Sequence, residues 1–194
     1  MEEKPPVDDT SLLGSIPPTD PAILKRMRES RAEEDHYAAI GRVATQWANL
    51  ELEIDVKSIE LANFGFREGT CLTAQISGSA RKLDAYISLA RLYDIPHHLV
   101  SDLCKLAQET GELSRKRNRY IHDTWEFNHP DEPSRFEITA QKILRLEEIP
   151  VSTKQLVDFA CEIIRHRRAF HDLAATVKAE HDALRDKSSK DTHP

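Results

Sequence analysis

Apolar positions recur at steps of three and four over most of the chain, the spacing of one face of an α-helix. From about Glu33 to Asn63 they fall at Ile40, Val43, Ala44, Trp47, Leu50, Ile54 and Leu61. A helix of that extent is about 45 Å long at about 1.5 Å per residue, and Gly65-Phe66-Arg67-Glu68-Gly69 is expected to end it. A second stripe runs through Leu72, Ile76, Ala80, Leu83, Ile87 and Ala90 and stops before Pro96. A third follows Leu99, Leu103, Leu106, Leu113, Tyr120 and Ile121. The last follows Leu156, Phe159, Ile163, Phe170, Ala174, Val177 and Leu184, with Ser152 placed as its N-cap.

Between the third and last stripes the period changes. Ser134-Arg135-Phe136-Glu137-Ile138-Thr139 alternates with a period of two, and Ile143-Leu144-Arg145-Leu146 follows, which fits a short β-hairpin or an irregular flap. Prolines mark the boundaries at Pro96, Pro130, Pro133 and Pro150, and none interrupts a helical stretch. Five more fall at Pro5, Pro6, Pro17, Pro18 and Pro21 among acids, Ser and Thr. Residues 1–32 therefore read as a flexible, proline-rich acidic arm, because they bury too little apolar surface to offset their ordering entropy. Residues 186–194 read as a disordered tail. Residues 33–185 remain as one all-α domain, a four-main-helix antiparallel bundle with a small hairpin or flap before the last helix.

Composition narrows the function classes. Aromatic residues are 6% of the chain's 194 residues and glycines number six, a poor match for an aromatic-rich, turn-rich β-fold. No apolar run reaches membrane-spanning length, and Met1-Glu2-Glu3-Lys4-Pro5-Pro6 is not a signal-peptide start, so a cytoplasmic protein is expected. Cys71, Cys104 and Cys161 have neither disulfide-scaffold nor zinc-site spacing. The nine histidines form no HExxH or His/carboxylate set, so no metal or cofactor is expected and they read as solvated surface residues. A net charge of −6 argues against broad coating of nucleic acid. It also conceals a contrast: residues 1–35 hold nine acids and five bases, while Arg115-Lys116-Arg117-Asn118-Arg119 carries four cations.

That basic segment closes the third helix, where positive charge suits the macrodipole. Its plainest reading is a solvated helix end. Positions 118 and 122 share a face with Arg115, whereas Arg117 and His122 lie about 140° apart around the axis. Arg117 instead continues the inward stripe between Leu113 and Tyr120. An inward Arg117 needs an acid, and Glu51 on the first helix is the candidate structural partner. Trp47 reads as core. Trp125 either packs under the flap or stacks a base. The run Arg165-His166-Arg167-Arg168 reads as a solvated face.

The segment Arg117-Asn118-Arg119-Tyr120-Ile121-His122 resembles the HEPN family, helical bundles that carry an Arg, a polar residue and a His four to six positions after the Arg. The bare spacing also occurs at Arg31/His36, Arg91/His97, Arg91/His98, Arg165/His171 and Arg115/His122. Asn118, the third-helix position and the Asp123-Thr124-Trp125 sequel select Arg117/His122, and Trp47-Ala48-Asn49-Leu50-Glu51 adds to the likeness.

The resemblance implies metal-independent RNA cleavage by a homodimer that brings two Arg/His pairs into one cleft, in a bacterial or phage toxin–antitoxin or defence setting with RNA and an antitoxin or other protein as partners. On that reading His122 is the general acid/base, Arg117 the transition-state clamp and Asn118 the orienting group. Arg115, Lys116 and Arg119 hold the RNA backbone. The residue types suit the chemistry, since His titrates near neutrality and Arg is a permanent cation with bidentate geometry. Toxins of this family whose antitoxin modifies a Tyr carry it two residues after the His. Thr124 stands there, so that mode of regulation is not implied. The alternative is a non-catalytic dimeric interaction or RNA-binding module, which many HEPN-like bundles are.

Overall fold

The computed structural model describes residues 31–127, 133–141 and 143–191. The proposed arm lies outside these residues except for its last two positions, which already belong to the first helix. Among the described residues five helices and three strands follow in order: α1 (Arg31–Ala62), α2 (Phe66–Thr73), α3 (Ser79–Leu92), α4 (His97–His122), β1 (Thr124–Glu126), β2 (Ser134–Gln141), β3 (Ile143–Pro150) and α5 (Thr153–Asp191). The protein is mostly helical with a small antiparallel sheet, in keeping with the all-α class.

The long stripes become the core. Val43, Trp47, Leu50, Ile54 and Leu61 of α1 are buried against Leu156, Phe159, Ile163, Phe170, Ala174 and Val177 of α5, with Leu83 and Tyr86 of α3 and Leu103 of α4. α1 packs most extensively on α5. A Ser152–Gln155 capping box opens α5: Ser152 N–H donates to Gln155 Oε1 at 2.7 Å, and Gln155 N–H returns a bond to Ser152 Oγ at 3.3 Å. The helix then runs to Asp191, past the boundary at 185 expected from sequence.

Two expectations need correction. The stripe from Leu72 to Ala90 is not one helix, because the chain breaks between Thr73 and Ser79. Gly78 takes φ +84°, a conformation open to glycine and costly for other residues, and α3 starts directly after it. Gly65-Phe66-Arg67-Glu68-Gly69 does not merely end α1 but opens α2. Asn63, in left-handed conformation, terminates α1. A Cβ on Gly69 would meet Ile59 Cγ1 at 2.6 Å, so the glycine lets α2 lie against α1.

The direction of the helices is the second correction. His36 meets Thr153 and Glu53 meets His171, so α1 and α5 run parallel. Tyr86 meets Phe170 and Tyr93 meets His181, which makes α3 parallel to α5 as well. Of the four long helices, α4 is the one that runs against its neighbours, with Thr110 at His166 and Tyr120 at Phe159. The short α2 and its two loops carry the chain back along α1, so α3 starts level with Asp55 and travels in the same sense.

The sheet has the order β1-β2-β3. β2 and β3 form the hairpin read from the alternating pattern, with Ile138 opposite Leu146. β1, three residues long and absent from that reading, pairs Thr124 with Phe136.

Candidate functional site

The candidate segment occupies the last turns of α4, where the chain leaves the bundle for the sheet. Leu113 and Tyr120 are buried and fix the helix's rotation, Tyr120 meeting the Phe159 ring at 5.2 Å between centroids. Trp125 closes the helix end: its indole N–H donates to the Tyr120 carbonyl at 3.1 Å, and its ring meets His36 edge-on at 4.7 Å. Trp125 therefore packs beneath the sheet, between α1 and α4, rather than standing free.

Arg117 turns inward over α1, with its guanidinium carbon 6.0 Å from the centroid of the buried Trp47 ring, the outer limit of a cation–π contact. Its Nη1 donates to Asn118 Oδ1 at 3.0 Å. That bond ties the guanidinium to a residue that shares a helix face with His122, one turn further on. Asn118 and His122 are both exposed. Among the described residues no hydrogen bond or ion pair joins His122 to Arg117.

The expected Arg117–Glu51 ion pair is not made among the described residues. Glu51 Oε1 instead accepts from Trp47 Nε1 at 3.2 Å. The two residues meet the same indole, Glu51 at its N–H and Arg117 at its face.

The basic residues around this face divide. Arg115 is exposed. Lys116 sits 4.6 Å above the Phe159 ring centroid and 3.5 Å from Glu162. Arg119 contacts Glu137 of β2 at 3.1 Å and Asp123 at 3.6 Å. Arg135, nearly buried, pairs with Asp123 and bonds Glu137 at 3.0 Å. This four-residue network locks the end of α4 to the sheet. Asp123 lies four residues after Arg119, and alternation puts Arg135 and Glu137 on one face of β2, but sequence alone does not show which face meets α4.

Beside the site, α4 and α5 enclose an open groove of about 500 Å³ lined by Glu109, Glu112, Lys116, Glu162, Arg165 and His166. Three histidines depart from the expected solvated state: His36, His166 and His181 are buried. His166 holds Thr110 Oγ1 at 2.7 Å, and His36 Nδ1 meets Thr153 Oγ1 at 3.1 Å. The run 165–168 is thus not wholly a solvated face, although Arg165 and Arg168 are exposed. Burial lowers the pKa of His36, and that of His166 despite the opposing pull of Glu109 and Glu162. Burial of His36 in the core makes the Arg31/His36 spacing a poor site.

Among the described residues no group of three or more His, Cys, Asp or Glu is arranged to hold a metal ion, and no helix is long and apolar enough to cross a membrane. Comparison with family models, with curated proteins and with solved structures finds no match, so the case for this site rests on its own residues and their geometry.

Proposed function

We propose that the chain is a metal-independent endoribonuclease of HEPN-like type, acting through Arg117, Asn118 and His122 in a toxin or defence setting. The observation that carries this reading is the 3.0 Å bond from Arg117 Nη1 to Asn118 Oδ1, which links the inward arginine to an exposed residue one turn before His122 on the same helix face. On this reading His122 takes the proton of an RNA 2′-hydroxyl as its oxygen attacks the adjacent phosphorus. Arg117 offsets the charge that develops on the phosphate oxygens. The P–O5′ bond breaks, the 5′-oxygen takes up a proton, and the products are a 2′,3′-cyclic phosphate and a free 5′-hydroxyl. Arg115 meets the RNA backbone. Lys116 and Arg119 contribute by exchanging their carboxylate partners for phosphates.

The test is cutting of an RNA oligonucleotide in EDTA, beside the same oligonucleotide with 2′-deoxy sugars. The reading expects the first to be cut and the second to survive.

The second reading, a non-catalytic dimeric interaction module, draws on the ion pairs that already engage Lys116 and Arg119, and on the exposed Ile138, Leu144 and Leu146 of the sheet. Intact RNA with both substrates would favour it.

A further inference from the structure

The sheet turns Arg135 and Glu137 to the helices, and its other side, which carries Ile138, Leu144, Leu146 and Glu148, to solvent. On the inner face Arg135 and Glu137 engage the α4 network, while Trp125 and Ile149 pack on the core. On the outer face Ile138 is 61% exposed, Leu144 73% and Leu146 64%. Among the described residues β1 pairs with residues 134–136 alone, and the outer half of the hairpin has two strands. β3 has β2 on one side and, among the described residues, no strand on the other. An eight-residue strand with an open edge and leucines on its outer face is a template for another strand.

We propose that this edge pairs with the same edge of a second copy, β3 running antiparallel to the partner's β3 about a two-fold axis at Leu146. Charge selects that register. Centred on Leu146, Arg145 faces the partner's Glu147 and Glu147 faces the partner's Arg145, on the same side of the sheet. A shift to a centre at Arg145 sets Arg145 against the partner's Arg145. A shift to Glu147 sets two glutamates together. Each shift replaces the two Arg145–Glu147 pairs with a like-charge contact on the axis, so these two residues favour the Leu146-centred register.

On the outer face Leu146 meets the partner's Leu146, and Leu144 of each copy lies diagonal to the other's Leu146 and directly opposite its Glu148. Because the strands are antiparallel, the two helical bodies go to opposite ends of the shared pair. Pro150, which lacks an N–H, falls at the end of the paired stretch, where it interrupts no bond of the new ladder.

This interface is independent of the proposed nuclease activity. It spaces the two β1 strands five intervals apart, about 24 Å across the joined sheet, so it is a different contact from a shared Arg117/His122 cleft.

The experiment is sedimentation equilibrium of the full chain over a range of concentrations. Wild type is expected to dimerise. Arg145→Glu and Glu147→Arg should each weaken the dimer at least about tenfold, and the double variant R145E/E147R should restore it. These side chains are exposed, so the variants leave the fold intact, which circular dichroism checks. A wild-type monomer overturns the proposal. So does a dimer indifferent to the single substitutions, which would lie on another surface.

Discussion

Arg117 reaches its own neighbour: Nη1 donates to Asn118 Oδ1 at 3.0 Å although the two side chains leave α4 on different faces. The bond makes Asn118 the positioning residue for the cation. Asn118→Ala is expected to lower kcat/KM for RNA cleavage by about 10- to 100-fold. Because Asn118 is exposed, unfolding free energy should change by no more than about 0.5 kcal/mol. A parallel loss of activity and stability would show that Asn118 serves the fold instead.

Trp47 and Glu51 give a prediction about stability. Glu51→Ala removes the acceptor of the buried indole N–H and should cost about 1 kcal/mol, a fall in Tm of roughly 2–4 °C in a chain of this size. Glu51→Gln keeps an amide oxygen in reach of the indole and should retain most of that stability. Equal losses in thermal melts of both variants would mean that the charge of Glu51 matters, as a direct pairing with Arg117 would require.

Asp123 and Arg135 are the buried part of the clamp between α4 and the sheet, with side chains 10% and 11% exposed. Asp123→Ala leaves Arg135 with Glu137 alone and should destabilise by about 3 kcal/mol. The double variant Asp123→Ala/Arg135→Met removes both charges and should cost less than the sum of the singles. Urea unfolding of the four proteins measures the coupling, and strict additivity would count against the clamp.

Acid should weaken the fold through its buried histidines. Burial holds His36 and His166 below the ordinary value of 6.5, so the unfolded chain takes up protons that the folded chain resists. Their contribution is complete above about pH 6.5 and is lost as pH falls from there toward their folded values. His166→Gln keeps a polar partner for Thr110 and should flatten the slope of unfolding free energy between pH 7 and 5, measured in urea. An unchanged slope would assign the acid sensitivity to other groups.

The long helices were legible because each buries one continuous stripe. Val43, Trp47, Leu50 and Ile54 lie three or four apart and are all buried, as are Phe159, Ile163 and Phe170. The second stripe misled because Leu72 and Ile76 keep helical spacing through a turn that Gly78 sets by its backbone alone. The buried histidines were illegible for a related reason. His36 and His166 fall on inward faces, but their tolerance of burial depends on Thr153 and Thr110, which are distant in sequence. The candidate site was legible as a cluster of types. What spacing alone does not show is that Arg119 belongs to the sheet and that Arg117 shares an indole with Glu51.

The most direct measurement is cleavage of a mixed cellular RNA pool in EDTA by wild type, Arg117→Ala and His122→Ala, each purified separately and checked for fold and oligomeric state. Wild type is expected to cut, and each variant to lose at least about a hundredfold of that activity. Wild-type cutting that survives both substitutions would contradict the assigned site, and intact RNA throughout would contradict the ribonuclease itself.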